Sequence, residues 1–429
     1  MFPRNLKNNI PLSASAEAIN ETSGSNDFAG ELASTFDRIT LPKSTSAQNR
    51  SKMTLIYSSA SQNSENPATS SLYAACEHGN IDTVQALLAD GADVNVTCAN
   101  GETPLHIACL RDFTGVVKAL LKSGASLTAQ DENGYSPLHF ACNLGHMDVF
   151  QLLLANDTNI EMPNDSGQTA LHIACFEGHT DIIKALIEKG ASLTAKANNG
   201  HSPLHIACIN EGTEVVELLL ARKADIEIQN NAGNTPLHIA CINGGTEVVE
   251  LLLARKADIE MQNDDGDTAL HVACLNGHTD VVQALLEKGA GVDVRNNDNY
   301  TPLLLACFEG HTDVVQLLLK NGADSTVITA AGQRLLHFAC YNGHTGVVKT
   351  LIDNKADVNV TTHESHLTAL HLACRYGHTD IVKVLLKNGA DVTVATADGD
   401  APLKLARENG STDIVDLLTS YSKGRGNDA

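Results

Sequence analysis

Residues 266–292 read GDTALHVACLNGHTDVVQALLEKGAGV, and the chain restates this phrase with substitutions along most of its length. The leucine that opens it, Leu270, recurs as Leu72, Leu105, Leu138, Leu171, Leu204, Leu237, Leu303, Leu336, Leu370 and Leu403. The step is 33 residues throughout, with one extra residue before Leu370. A fixed period of this size marks a solenoid, in which each unit is too small to bury its apolar face and neighbouring copies complete the core. Function then resides on a long repetitive surface instead of in a deep pocket.

The residues of one unit predict two short antiparallel helices. In Thr103-Pro104-Leu105-His106, Thr103 suits a helix N-cap, where its hydroxyl can accept from an orphan backbone N–H. Pro104 follows at the first helical position, where a missing N–H costs nothing. Ile107, Ala108 and Cys109 are apolar enough to lie between neighbours. Most copies then carry a glycine, as at Gly145, Gly244, Gly277 and Gly310, suited to a left-handed C-terminal cap. A second helix such as Val281-Val282-Gln283-Ala284-Leu285-Leu286 has an apolar face at helical spacing and ends at a second glycine, here Gly289. Asp112 and Glu211 stand at the first glycine position, and Asp157, Lys223, Lys256 and Lys355 at the second. Each is expected to hold a left-handed backbone at a cost of about 1 kcal/mol.

The phrases TPLHIA (Thr103–Ala108, Thr235–Ala240), GH-T-D-V-V and GADVN (Gly91–Asn95) resemble the ankyrin repeat. The resemblance implies an all-α ankyrin-repeat solenoid of about eleven helix-turn-helix units with β-hairpin loops over residues 71–425; the composition of residues 1–70 predicts a disordered tail ahead of it. The resemblance also implies that the inner helices and fingers line a concave binding face. It says nothing of the partner.

Departures from the phrase mark the ends. Ser71-Leu72-Tyr73-Ala74 opens the array without the capping phrase, and Pro402-Leu403-Lys404-Leu405-Ala406-Arg407 closes it with Lys and Arg where inner copies carry His and Cys. Terminal units face water on one side, so polar caps are expected. Within the array, Leu304 replaces the usual His, and Arg334-Leu335 replaces Thr-Pro, so the ninth unit has lost its N-cap. The fifth and sixth units are near duplicates, best read as copying of one unit.

Residues 1–70 are rich in Ser, Asn, Ala and Thr and show no sustained periodicity, a composition that cannot offset ordering entropy by burial. Arg4 and Lys7 ahead of the first acid only faintly resemble a transit peptide. Six basic and six acidic residues balance there, which places the formal net charge of −22 on the remainder, 23 basic against 45 acidic. Nucleic acid, which requires a basic stripe, is disfavoured, and so is an anionic membrane surface. No stretch reaches the ~20 apolar residues of a membrane span. A protein partner with a basic patch would be steered toward the array.

Ten of the eleven cysteines lie four residues after the marker leucine, and eight of these have a His three residues earlier, as in His106/Cys109 and His371/Cys374. Residues i and i+3 share a helix face, so zinc is the sharp reading. Each unit would offer only two ligands in the middle of a packed helix, which favours cysteine as a small buried apolar residue. The family resemblance implies that the His hydrogen-bonds around the cap and the adjoining loop. Cysteines one repeat apart exceed the ~7 Å Cα reach of a disulfide, so a reducing compartment, the cytoplasm, is expected. Cys98 alone falls in a finger and is expected to be exposed.

No metal, cofactor or catalytic constellation emerges, because every unit repeats the same His and Cys and an enzyme needs one place that differs. The expectation is a monomeric, non-enzymatic scaffold or adaptor. The alternatives are an inhibitor that occludes a partner enzyme and an effector whose activity lies in the tail. The position after the repeat cysteine reads Leu110, Asn143, Phe176, Ile209, Ile242, Leu275, Phe308, Tyr341, Arg375. This column is either half-buried between helices or an apolar groove. Tyr300, Phe308, Tyr341 and Tyr376, with Arg375 beside the last, form the expected binding patch, since Tyr and Arg dominate interface hot spots. Tyr135 and Phe176 extend it, and Asp265, Asp267 and Asp298 are expected as acidic finger residues at its rim.

Overall fold

A computed structural model describes residues 67–425. The expectation of a disordered tail falls, up to residue 66, outside the described residues. The first helix, Pro67–Glu77, begins four residues ahead of the boundary expected at 71.

Twenty-two helices are present among the described residues, and they form eleven pairs. In the seventh unit an inner helix, Ala269–Asn276, is followed by an outer helix, Thr279–Glu287. Helices of this length are marginal in isolation, so stacking must hold them. Each inner helix packs on its own outer helix and on the inner helices of the adjoining units, two for every unit but the first and last. Leu270, Ala273, Cys274, Val281, Val282 and Leu285 are at most 1% exposed. Full burial of a leucine or valine side chain contributes about 1.5–3 kcal/mol. Repetition of that set in each unit makes the core a continuous seam.

The cap differs in detail from the expected one. Thr103 is the N-cap, with extended backbone. Its hydroxyl lies 2.9 Å from Nδ1 of His106, and the same nitrogen accepts from the Thr103 backbone N–H at 3.0 Å. Ser136, Thr169, Ser202, Thr235, Thr268 and Thr368 pair with their histidines in the same way. At Ser202, Thr235 and Thr368 the hydroxyl also accepts from the histidine's own backbone N–H, at 3.4–3.5 Å. Because Nδ1 accepts a backbone proton, the ring carries its hydrogen on Nε2, which donates to a carbonyl in the next unit. His106 reaches Tyr135 O at 3.0 Å and His238 reaches Asp267 O at 2.9 Å. The histidine expected at the cap is therefore also a strut between units. In the ninth unit Arg334 makes no side-chain cap bond, yet His337 still accepts from its backbone N–H at 3.0 Å.

All six non-glycine residues expected to be left-handed are so, with φ between 54° and 71°. Asn299 (φ 62°) and His366 (φ 50°) join them at a finger position where most units have glycine. The fingers close as tight turns: Asn164 N donates to Gln168 O at 2.9 Å, and Gly167 N to Asn164 O at 2.8 Å. Only one β-bridge forms among the described residues, Ile328 with Arg334, so the hairpins are shorter than expected. At the C-terminal end Lys404 and Arg407 are exposed, as expected of a cap, and Lys404 pairs with Asp400. At the other end Tyr73 takes the histidine's place and donates through its hydroxyl to Glu102 Oε2 at 2.9 Å.

The ten repeat-position cysteines are buried free thiols. Burial pushes Cys76 and Cys374 up to about 12 and the rest of the ten higher still. Cys98 is half-buried, contrary to expectation, because its finger folds the sulfur onto the Asn100 side chain.

Candidate functional site

The column after the repeat cysteine ends each inner helix, and its exposure follows from what its backbone does. Leu110, Asn143, Phe176, Ile209, Ile242, Leu275, Phe308 and Tyr341 are all half-buried, and Arg375 is exposed. In most units the carbonyl of this residue accepts Nε2 of a second histidine, which opens the outer helix of the following unit. Phe308 O receives His344 at 2.8 Å, Tyr341 O receives His378 at 3.0 Å, and Ile242 O receives His278 at 3.0 Å. The backbone is committed to stacking, and the side chains are only part-covered.

The structure brings together only part of the expected patch. The Tyr341 and Tyr376 rings meet edge-to-face, centroids 4.7 Å apart at 67°. Such pairs contribute about 0.5–1.5 kcal/mol beyond area burial. Arg375, which precedes Tyr376 in sequence, ends the inner helix Ala369–Arg375. Phe308 turns toward the core and meets the fully buried Phe338 at 6.3 Å. Tyr300 stands at the foot of the eighth finger, where its carbonyl accepts His271 Nε2 at 3.1 Å and its N–H donates to Asn296 Oδ1 at 2.9 Å. Tyr135 holds the same position in the third finger, half-buried against His139 and Phe140, with centroids 5.7 and 6.2 Å away. Phe176 is half-buried in the fourth unit.

Asp265 and Asp298 are exposed at the finger tips, but Asp267 corrects the sequence reading: it is 1% exposed. It occupies the foot of its finger, where its carbonyl accepts His238 and its carboxylate accepts Asn296 Nδ2 at 2.7 Å. Burial raises its pKa to about 6, against the opposing effect of the Asn296 bond. It is a structural residue, not a rim charge.

The capping histidines are neutral for the same reason. Desolvation lowers His106, His139, His205, His271 and His337 to about 4, outweighing their bonds to backbone carbonyls. Among the described residues no three His, Cys, Asp or Glu side chains converge to hold a metal ion. The feature that sequence reasoning missed is the second histidine column, His146, His179, His278, His311, His344 and His378. Each reaches a carbonyl 36 or 37 residues back. The Gly-His pair recurs in the sequence, but nothing in it names the partner, a backbone carbonyl.

The sequence profile described as "Ankyrin repeats (3 copies)" matches residues 45–131, 112–197, 192–263, 249–329 and 336–428. The chain belongs to the ankyrin repeat family. Among solved structures, the ankyrin array is similar to the crystal structure of the ankyrin repeat domain of Bcl-3, described as a unique member of the IkappaB protein family. Identity is 31% over 50% of this chain and 97% of that chain, with a TM-score of 0.46. No curated protein matches the chain. Ankyrin repeats serve protein–protein interaction, and no helix among the described residues is long and apolar enough to cross a membrane.

Proposed function

We propose that this ankyrin array is a non-enzymatic scaffold or adaptor that holds another protein against the inner-helix ends of its ninth and tenth units. The observation that carries this reading is the half-buried Tyr341–Tyr376 pair next to the exposed Arg375. A part-exposed aromatic pair with an exposed arginine next to it in sequence has the composition of an interface hot spot. The preformed surface costs little conformational entropy on binding. Exposed Asp264, Asp265 and Asp298 in the seventh and eighth fingers favour a partner with a basic patch. The buried unpaired thiols suit a reducing compartment, the cytoplasm, and the array acts as a monomer.

Partner capture by proximity labelling, compared between the wild-type chain and Y341A/Y376A, tests the reading alongside a thermal melt. Truncation at a hot spot costs about 2 kcal/mol or more, so the double variant loses capture while the array stays folded. Retained capture in a folded variant overturns the assignment to this face.

A further inference from the structure

Two hydrogen bonds recur between successive units on the finger side of the array. In one, a finger N–H donates to the preceding finger: Glu132 to Asn100 O, Asp165 to Asn133 O, Asn198 to Ser166 O, and so on to Ala397 with Ser365 O. In the other, the capping histidine donates to the next finger's carbonyl. Among the described residues both fail at the same place. No bond joins Ala330 N to Asp298 O, and Leu304 stands where the histidine would reach the ninth finger. The surroundings agree. Asn299 holds a left-handed φ of 62° in the eighth finger, the ninth unit has lost its side-chain cap at Arg334, and Ile328 beside that finger is 40% exposed.

The opposite edge of this junction is intact and doubly bonded: Phe308 O accepts both His344 Nε2 at 2.8 Å and Asn342 Nδ2 at 3.0 Å. We infer that the array is two cooperative blocks, units one to eight and units nine to eleven, joined by a hinge that pivots at Phe308 and opens on the finger side. Solenoid stability is a sum of unit and nearest-neighbour terms, so an interface with two struts missing is where cooperativity divides. The inference does not depend on where the partner binds. It does place Tyr341 and Tyr376 on one block and Phe308 and Asp298 on the other.

Native-state hydrogen exchange in rising denaturant, resolved by mass spectrometry, tests this on the full chain. The expected result is that helices within residues 335–425 lose protection together, at lower denaturant than those within residues 104–320. L304H, which restores the strut toward Gln333 O, should slow exchange in residues 335–425 at least fivefold and draw the two transitions together. One common transition across both blocks in the wild type overturns the inference, as does a folded L304H in which the gap is unchanged. Should L304H fail to fold, H271L decides, because it removes the equivalent strut one junction earlier. Faster exchange at Asn297 and a second break between units seven and eight support the hinge rule, and an unchanged profile overturns it.

Discussion

Gly245 is the residue that leaves room for Glu211. A side chain at Gly245 would begin 3.1 Å from Glu211 Cγ, whereas one unit later the equivalent position is His278, whose ring packs on Gly244. The rule holds at five junctions: Gly145, Gly244, Gly277, Gly310 and Gly343 each face the histidine of the following unit, with a built Cβ only 2.4–2.8 Å from the ring. His146 is the exception, following Asp112 with its Nδ1 3.8 Å from that carboxylate. Where the following unit supplies Gly212, the cap Gly178 faces open space.

This pairing predicts strong coupling between the two positions. G245H alone should destabilise the array by about 1–3 kcal/mol through overpacking. E211G/G245H should recover most of that loss, because the new imidazole can reach Ile209 O as His278 reaches Ile242 O. A double-mutant thermal or denaturant cycle measures the coupling, and additive losses would break the rule.

The two glycine columns of a unit should respond differently to the same change. Gly277 and Gly289 are both left-handed, at φ 74° and 91°, but a Cβ at Gly277 meets His311 Nδ1 at 2.4 Å while Gly289 meets nothing within 4 Å. G289A should therefore cost only the left-handed backbone term, about 1 kcal/mol. G277A adds the displaced ring and its lost bond to Leu275 O, for about 2–4 kcal/mol in total. Equal losses on urea titration would show that the imidazole gives way freely.

Acid should unfold the array earlier than its carboxylates alone would. The capping histidines have folded pKa values near 4 against an ordinary 6.5. Their contribution is fully present above pH 6.5 and is lost as pH falls through 4. Within that window each costs about 1.4 kcal/mol per pH unit, since the unfolded chain binds the extra proton. Asp267 has the opposite sign: its folded pKa of about 6 exceeds the ordinary 3.8, so its contribution is present below pH 3.8 and lost as pH rises through 6. D267N should raise the melting temperature at pH 7.5 and lose that advantage at pH 4. Melts of both proteins from pH 4 to 8 check the two slopes together.

Thiol reactivity gives an independent reading of the core. A bulky maleimide applied to native protein should modify Cys98 first and at most one or two of the eleven, with the remainder requiring denaturant. Rapid native modification of most thiols, counted by intact mass, would contradict the buried seam.

What the sequence conveyed was local and periodic. The Thr-Pro cap follows from backbone preferences, and the six left-handed non-glycine residues follow from their place in the 33-residue step, where other units carry glycine. What it hid was pairing at a distance. Asp265 and Asp267 lie two residues apart in one finger and read alike, yet the turn points one to water and the other beneath the finger, where Asn296 and His238 meet it. The second histidine column was illegible for a related reason, because its partner is a backbone carbonyl that any residue type supplies. Within the aromatic patch, composition suggested four equivalent rings, whereas packing joined Tyr341 to Tyr376 and turned Phe308 toward Phe338.

The struts between units all end on main-chain carbonyls: those of Tyr135, Gln168, His201, Asn234, Asp267, Tyr300 and Asp400 accept in the same manner despite having little else in common. The histidine struts are therefore indifferent to side-chain identity, while the side chains at the foot of a finger are not free: Asp267 and Asn234 each also hold the side chain of a neighbouring finger. Only the tips, where Asp265 and Asp298 face water, can be rewritten without touching either kind of bond.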